Sequence, residues 1–328
     1  MDVLPLRSGD TGDGVRDLQQ RLTALGLDLS VESQGAFGLG TERAVFDFQT
    51  RRGLPRSGVC DQATWRSLVE AGYRLGDRLL YLRSPMVRGD DVAQLQQQLG
   101  TLGFDAGRVD GIFGPDTDRA VRDFQRNAAL SVDGVAGPAL TDSLAKLGHS
   151  PGRATNVAGV RERERLLGRS PRMDGCRIVI GESGGLSVLV HATARLLRAE
   201  GAVLASLHHP HPSVQAIEAN DFGADLYVGL TLVDDELSTA AYYSTTGFES
   251  VGGRRLAELL LDRIQTVDGI TAGEALGQVN PILRETRMPS VVCSLGPPDA
   301  VVAATATLAD ALHQAIRAWV AEPVDPSL

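Results

Sequence analysis

The sequence predicts an α plus α/β fold: two small three-helix domains, then an α/β domain with a mostly parallel sheet flanked by helices. Three observations predict it. One pattern fills the first half twice, apolar residues within each copy recur at helical spacing, and strand-like and helix-like stretches alternate from residue 175 onward. At 328 residues and 43% apolar content, the chain can bury more than one core. Its 32 basic and 41 acidic residues leave a formal charge of −9, which argues against a nucleic-acid partner held through its phosphates.

Copy one reads VRDLQQRLTALGL (15–27), AFGLGTERAVFDFQTRRGL (36–54) and SGVCDQATWRSL (57–68). Copy two reads VAQLQQQLGTLGF (92–104), VDGIFGPDTDRAVRDFQRNAAL (109–130) and VDGVAGPALTDSL (132–144). Val15 and Val92, Leu18 and Leu95, and Gly26 and Gly103 stand 77 residues apart, whereas Phe37/Phe113 and Phe48/Phe124 stand 76 apart. Leu18, Leu22 and Leu25 fall on one helical face, as do Leu95, Leu99 and Leu102, with Gly26 or Gly103 as the stop. Thr41 and Thr117 are expected as helix N-caps ahead of an apolar stripe. Domain boundaries follow at 1–72 and 73–148.

Residues 149–173 turn to Arg, Gly, Ser and Pro. That composition predicts a solvated basic linker with one helical turn at RERERLL, the alternative being a basic contact for a partner. From 174 to 322, strands are expected at 176–181, 202–207, 224–233, 239–246 and 289–295. Helices are expected at 188–201, 213–223, 253–265 and 300–322, with a short tail at 323–328. Cys60, Cys176 and Cys293 are scattered with no CxxC spacing, which fits free thiols in a reducing compartment. The first residues show no basic-then-apolar leader, and no apolar run nears the roughly 20 residues of a membrane span, so a cytoplasmic location is expected.

The residues LQQxL, DGIFGPDTxxAVxxFQ and VDGVxGP resemble the peptidoglycan-binding repeat that accompanies bacterial cell-wall hydrolases. Copy two matches almost throughout. Copy one is worn, with Gln34-Gly35-Ala36 at the first turn and Ser57-Gly58 at the second. The resemblance implies a shallow glycan or stem-peptide groove, with Asp110, Phe113, Gly114, Thr117 and Gln125 as its candidate binding residues.

The last domain resembles the zinc-dependent N-acetylmuramoyl-L-alanine amidases, through RIVI (177–180), AxxANxxGADLYVGL (216–230) and ILRETRMPSVVCSLG (282–296). In that family strand one ends in Asp-Pro-Gly-His-Gly-Gly, whose histidine binds zinc. A glutamate ligand follows in a loop, a second histidine follows the GAD strand, and a catalytic glutamate ends the MPxVLVE strand. Here strand one ends Gly181-Glu182-Ser183-Gly184-Gly185 and the loop is deleted. The remaining positions are Thr231 and Ser294. Zinc hydrolysis needs three ligands and a base or acid beside the metal-bound water, so Gly184, Thr231 and Ser294 are vestigial positions and no zinc or other cofactor is expected.

Two further groups of residues offer chemistry. His208, His209 and His211 in one loop could form a relocated metal site, against a polar surface loop. Cys293 or Ser294 with His191 or His313 could act as nucleophile and base, against a core strand with no nucleophile elbow. YRLGDRLLY (73–81), GDDVAQLQ (89–96) and LRETRMPSV (283–291) resemble a group of actinobacterial cytoplasmic regulators with this domain order. That resemblance implies a pseudoenzyme without hydrolase activity that partners the UDP-N-acetylglucosamine enolpyruvyl transferase MurA and that could sense muropeptide or lipid-linked precursor. The resemblance also implies regulation by a phosphorylated threonine in a C-terminal tail; in this sequence no threonine follows Thr307, and Ser327 is the hydroxyl there. A peptidoglycan-binding cell-wall protein and an active amidase with a relocated metal are the competing readings.

Overall fold

The computed structural model describes residues 4–29, 32–147, 157–245 and 248–325. The chain divides into two compact units, Met1–Ala158 and Gly159–Leu328.

The first unit holds the two repeats, each a bundle of three short helices. Repeat one is α1 (Asp13–Ala24), α2 (Leu39–Arg52) and α3 (Gln62–Ala71), and repeat two is α4 (Asp90–Thr101), α5 (Pro115–Asn127) and α6 (Pro138–Leu147). Each has its own core. Leu18, Leu22, Val45, Phe48 and Leu68 fill the first, and Leu95, Leu99, Val121, Phe124 and Leu144 fill the second. Gly26 and Gly103 take φ values of 77° and 89°, a left-handed conformation that ends α1 and α4 as their sequences predict.

The two threonines do not cap. Gly38 and Gly114 are the N-caps, while Thr41 and Thr117 lie inside the first turn, buried, and bond to a glutamine of the preceding helix. In repeat one, Glu32 occupies the end of α2, accepting from the Gly40 and Thr41 amides at 2.6 and 2.8 Å and from the Thr41 hydroxyl. Arg52 and Asp90 join the repeats through paired bonds of 3.1 and 2.7 Å.

The second unit opens with α7 (Val157–Leu167), three helical turns where the sequence suggested one turn in a solvated linker. The reason is a tertiary contact that composition does not reveal. Leu166 is buried in the unit's core, and Glu162 accepts from Ser250 Oγ at 2.6 Å and from the Val251 amide at 3.2 Å. Those groups start α10 (Val251–Ile264), and a Cβ on Gly252 would stand 2.6 Å from the Leu166 side chain. The basic segment is thus partly built into the α/β unit.

β1 (Arg177–Glu182), β2 (Val203–His208), β3 (Leu226–Leu232) and β7 (Ser290–Leu295) form a parallel core in the order β2-β1-β3-β7. β4 (Leu237–Thr245) joins β7 antiparallel, and β5 (Phe248–Glu249) and β6 (Thr271–Gln278) pair with β4. β6 was not foreseen because TAGEALGQ has no β-branched run; it is an edge strand fixed by its neighbour.

α8 (Ser187–Ala199), α10 and α13 (Thr305–Ala321) cover one sheet face over Ile178, Ile180, Val228, Val291 and Cys293, with Trp319 fully buried among them. α9 (Pro212–Phe222) and the short α11 (Pro281–Glu285) pack together against the other face. The expected last helix is broken into α12 (Pro298–Ala303) and α13, where the Thr305 hydroxyl bonds back to the Val301 and Val302 carbonyls. Ser327 and Thr246 lie outside the described residues.

Candidate functional site

In a parallel sheet, ligands sit beyond the carboxyl ends of the strands where the chain's winding reverses. Here that point lies between β1 and β3, since β1 leads by α8 to β2 on one side and β3 lies on the other. Register places Thr231 beside Ser294, and Ser294 beside Thr239 of β4. The Ser183 hydroxyl lies 3.4 Å from that of Thr231. Paired residues share a face, so four hydroxyls form a row across the strand ends. Gly184 follows Ser183 with φ 137° in the loop into α8. The structure therefore gathers Gly184, Thr231 and Ser294 at one sheet end.

Sequence reasoning gave no role to Glu182, the residue most engaged there. It is 3% exposed. Its Oε1 accepts from Ser187 Oγ at 2.7 Å and from His208 Nδ1 at 2.9 Å, and its Oε2 accepts from the Leu186 amide at 2.8 Å. Burial alone would raise its pKa, but the Ser187, Leu186 and His208 hydrogen bonds outweigh it and hold the carboxyl below the usual glutamate range. A charged carboxylate at the start of α8 is also favoured by the helix dipole. Glu182 is thereby committed to local structure, and the visible signal was a lone carboxylate in GESGG.

The floor beneath is braced by Gln215, which donates to the Glu182 carbonyl at 3.0 Å and the His209 carbonyl at 2.6 Å and accepts from Tyr227 Oη at 2.7 Å. Gly181 leaves room for this brace, since a Cβ there would stand 2.1 Å from Gln215 Oε1 and 2.3 Å from Tyr227 Oη.

The three loop histidines do not converge on one point. His208 turns to Glu182, and the His211 amide donates to His209 Nδ1 at 3.0 Å. Among the described residues, no three His, Cys, Asp or Glu side chains are grouped to hold a metal ion. The donor set at the strand ends, hydroxyls with one engaged carboxylate, does not fit a catalytic zinc. Cys293 is fully buried and its thiol is pushed up to about 12 by desolvation. His191 bonds to the Ser187 carbonyl and His313 to Glu200, so neither bonds to Ser294.

The candidate residues of repeat two are also architectural. Phe113, Thr117 and Gln125 are buried at 0, 1 and 3% exposure, which removes them from any contact surface. Asp110 bonds to Gln96, and Gly114 caps α5. Unforeseen are the glutamines that hold the turns. The Gln96 amide nitrogen lies within 2.9–3.1 Å of Asp110 Oδ1, Ile112 O and Thr117 Oγ1, while its oxygen accepts from the Asp110 and Gly111 amides. Gln19, Gln49 and Gln125 do the same at the other three turns. Their recurrence at the repeat offset was the signal. In repeat one a groove of about 670 Å³ runs along α1, past Arg16, Gln20, Thr23, Asp28 and Glu32.

The "Putative peptidoglycan binding domain" family matches residues 11–68 and 88–144. The N-acetylmuramoyl-L-alanine amidase CwlM of Mycobacterium tuberculosis is 32% identical over 96% of this chain and 88% of its own length. CwlL of Bacillus licheniformis, also named an N-acetylmuramoyl-L-alanine amidase, is 32% identical over 43% of this chain and 44% of its own length. Among solved structures, the amidase AmiC2 of Nostoc punctiforme overlays with a TM-score of 0.37 at 18% identity, covering 45% of this chain and 98% of that one. Two peptidoglycan-binding repeats ahead of an amidase-like α/β unit define the class, an amidase-related peptidoglycan-binding protein. Within that class, the chain belongs to the CwlM family. Among its described residues, no helix is long and apolar enough to cross a membrane.

Proposed function

We propose that this chain is a catalytically silent amidase relative that acts in the cytoplasm as a regulator of peptidoglycan precursor synthesis. It partners a MurA-like enolpyruvyl transferase and senses muropeptide or lipid-linked precursor. One observation carries the loss of catalysis: where metal-assisted amide hydrolysis needs ligands and a proton carrier, the strand ends offer Gly184, Thr231 and Ser294, with Glu182 held by three hydrogen bonds. The two repeats, each with an intact core, and the groove along α1 support the sensing role. The transferase as partner follows from the family resemblance alone.

The test measures zinc by elemental analysis, amidase activity on peptidoglycan, and transferase turnover with and without the full chain. Zinc well below one per chain, no cleavage and stimulated turnover are expected. Stoichiometric zinc with cleavage would sink the proposal and point to the loop of His208, His209 and His211. Unchanged turnover would remove the transferase.

A further inference from the structure

We propose that the exposed ribbon at residues 79–86 of the second repeat is a docking edge for an extended segment of another protein, one that alternates apolar with acidic side chains. Leu79 is 55% exposed, and Tyr81, Leu82 and Met86 are each 41% exposed. Leu80 between them is fully buried and exchanges hydrogen bonds of 3.1 and 2.8 Å with Ala136. Backbone groups alternate sides along an extended chain, so the N–H and C=O of Leu79 and Tyr81 face away from that pairing. Among the described residues, no hydrogen bond engages Leu79 or any residue from 81 to 86. Arg83 stands exposed in the middle and belongs to no ion pair among the described residues.

Repeat one is the internal control. Its Leu6 pairs with Cys60 as Leu80 pairs with Ala136. The chain beside Leu6 is closed. Pro5 has no N–H to offer, the Arg7 amide donates to Asp10 Oδ2 at 2.8 Å, the Asp10 amide donates to the Arg7 carbonyl at 3.0 Å, and the Gly9 amide donates to Phe37. Pro5, Arg7, Ser8 and Gly9 are what it exposes, with no large aliphatic or aromatic side chain among them. The fold therefore does not require an open apolar ribbon at this position. Open edges are normally blunted because they recruit other chains; in the second repeat the proline, Pro85, lies beyond the stretch 79–83, whose backbone stays open.

The chemistry specifies the occupant. Backbone pairing along 79–83 takes an extended segment, the exposed side chains take apolar partners, and unpaired Arg83 takes a carboxylate. A short acidic segment sets few charges against the chain and can place one carboxylate on Arg83, whereas a second copy of this −9 chain or an anionic membrane brings many like charges to a ribbon with a single cation. None of this rests on the regulatory reading.

A random dodecapeptide display library, panned on the full-length chain and counter-screened on a Leu82→Asp/Arg83→Glu variant, tests the proposal. The expected winners alternate apolar residues with Asp or Glu and bind the variant at least about tenfold more weakly. The best synthetic peptide then slows amide hydrogen exchange at Leu79, Tyr81 and Arg83 by about tenfold or more. All substituted positions are exposed, so an unchanged melting temperature separates lost binding from misfolding. Equal recovery on the variant, basic winners or unprotected amides would overturn the proposal. Self-association, or binding to phosphatidylglycerol vesicles, that disappears in the variant would instead assign the ribbon to a second copy or to a membrane.

Discussion

The two repeats share a fold and differ in how they meet solvent. Leu18 and Leu95, Phe48 and Phe124, and Gln19 and Gln96 stand in matched roles. At the turns, repeat two uses the carboxylates of Asp110 and Asp133 where repeat one uses the Ser33 carbonyl and the Ser57 hydroxyl. Beside the first bridge, one repeat closes its chain and the other leaves it open. Burial fixes the core and the turn glutamines, because an unfilled cavity or an orphaned amide costs stability. The exposed side chains of the ribbon are under no such constraint, unlike Leu80 between them, and that freedom is in keeping with a docking role.

The matched cores give the largest test. Phe48→Ala and Phe124→Ala should each cost about 3–5 kcal/mol in denaturant unfolding, and a gap of several kcal/mol between them would break the equivalence. Next come the glutamines. Gln96→Ala should cost about 2–3 kcal/mol by stranding buried amides, with Gln19→Ala somewhat less, since the Gln19–Ser33 contact is a long 3.4 Å. Cutting the tie between repeats with Arg52→Ala should cost only about 0.5 kcal/mol, because both partners are partly exposed; a double-mutant cycle with Asp90→Ala reads the coupling.

The smallest effect is acid dependence. Asp133 is held below the usual carboxylate range, first by the Val135 amide and then by Gln125. A depressed folded value adds stability that is present above the unfolded pKa and lost as pH falls through the folded one. Asp133→Asn should therefore flatten the acid limb of repeat two below about pH 4.

The repeats were legible because identical spacing exposes which residues face inward. The parallel core was legible because β-branched runs alternate with helical stretches. Less legible were features set by partners distant in sequence. Thr41 and Thr117 have cap-like chemistry, yet glutamines twenty-odd residues earlier draw them into the first turn. RERERLL looks solvated until Glu162 and Leu166 meet α10. At the strand ends, the places of Gly184, Thr231 and Ser294 follow from the strand runs that precede them, whereas the anchoring of Glu182 depends on a loop geometry no spacing encodes.

The α7 contact also bears on inheritance. A helix that begins before the first strand, yet sets Leu166 in the core and holds the start of α10, makes the transferable module longer than its sheet. A recombination joint placed after Leu167 would deliver an α/β unit with an uncovered flank and an α10 without its carboxylate. A joint that keeps the α/β unit whole therefore falls upstream of Val157.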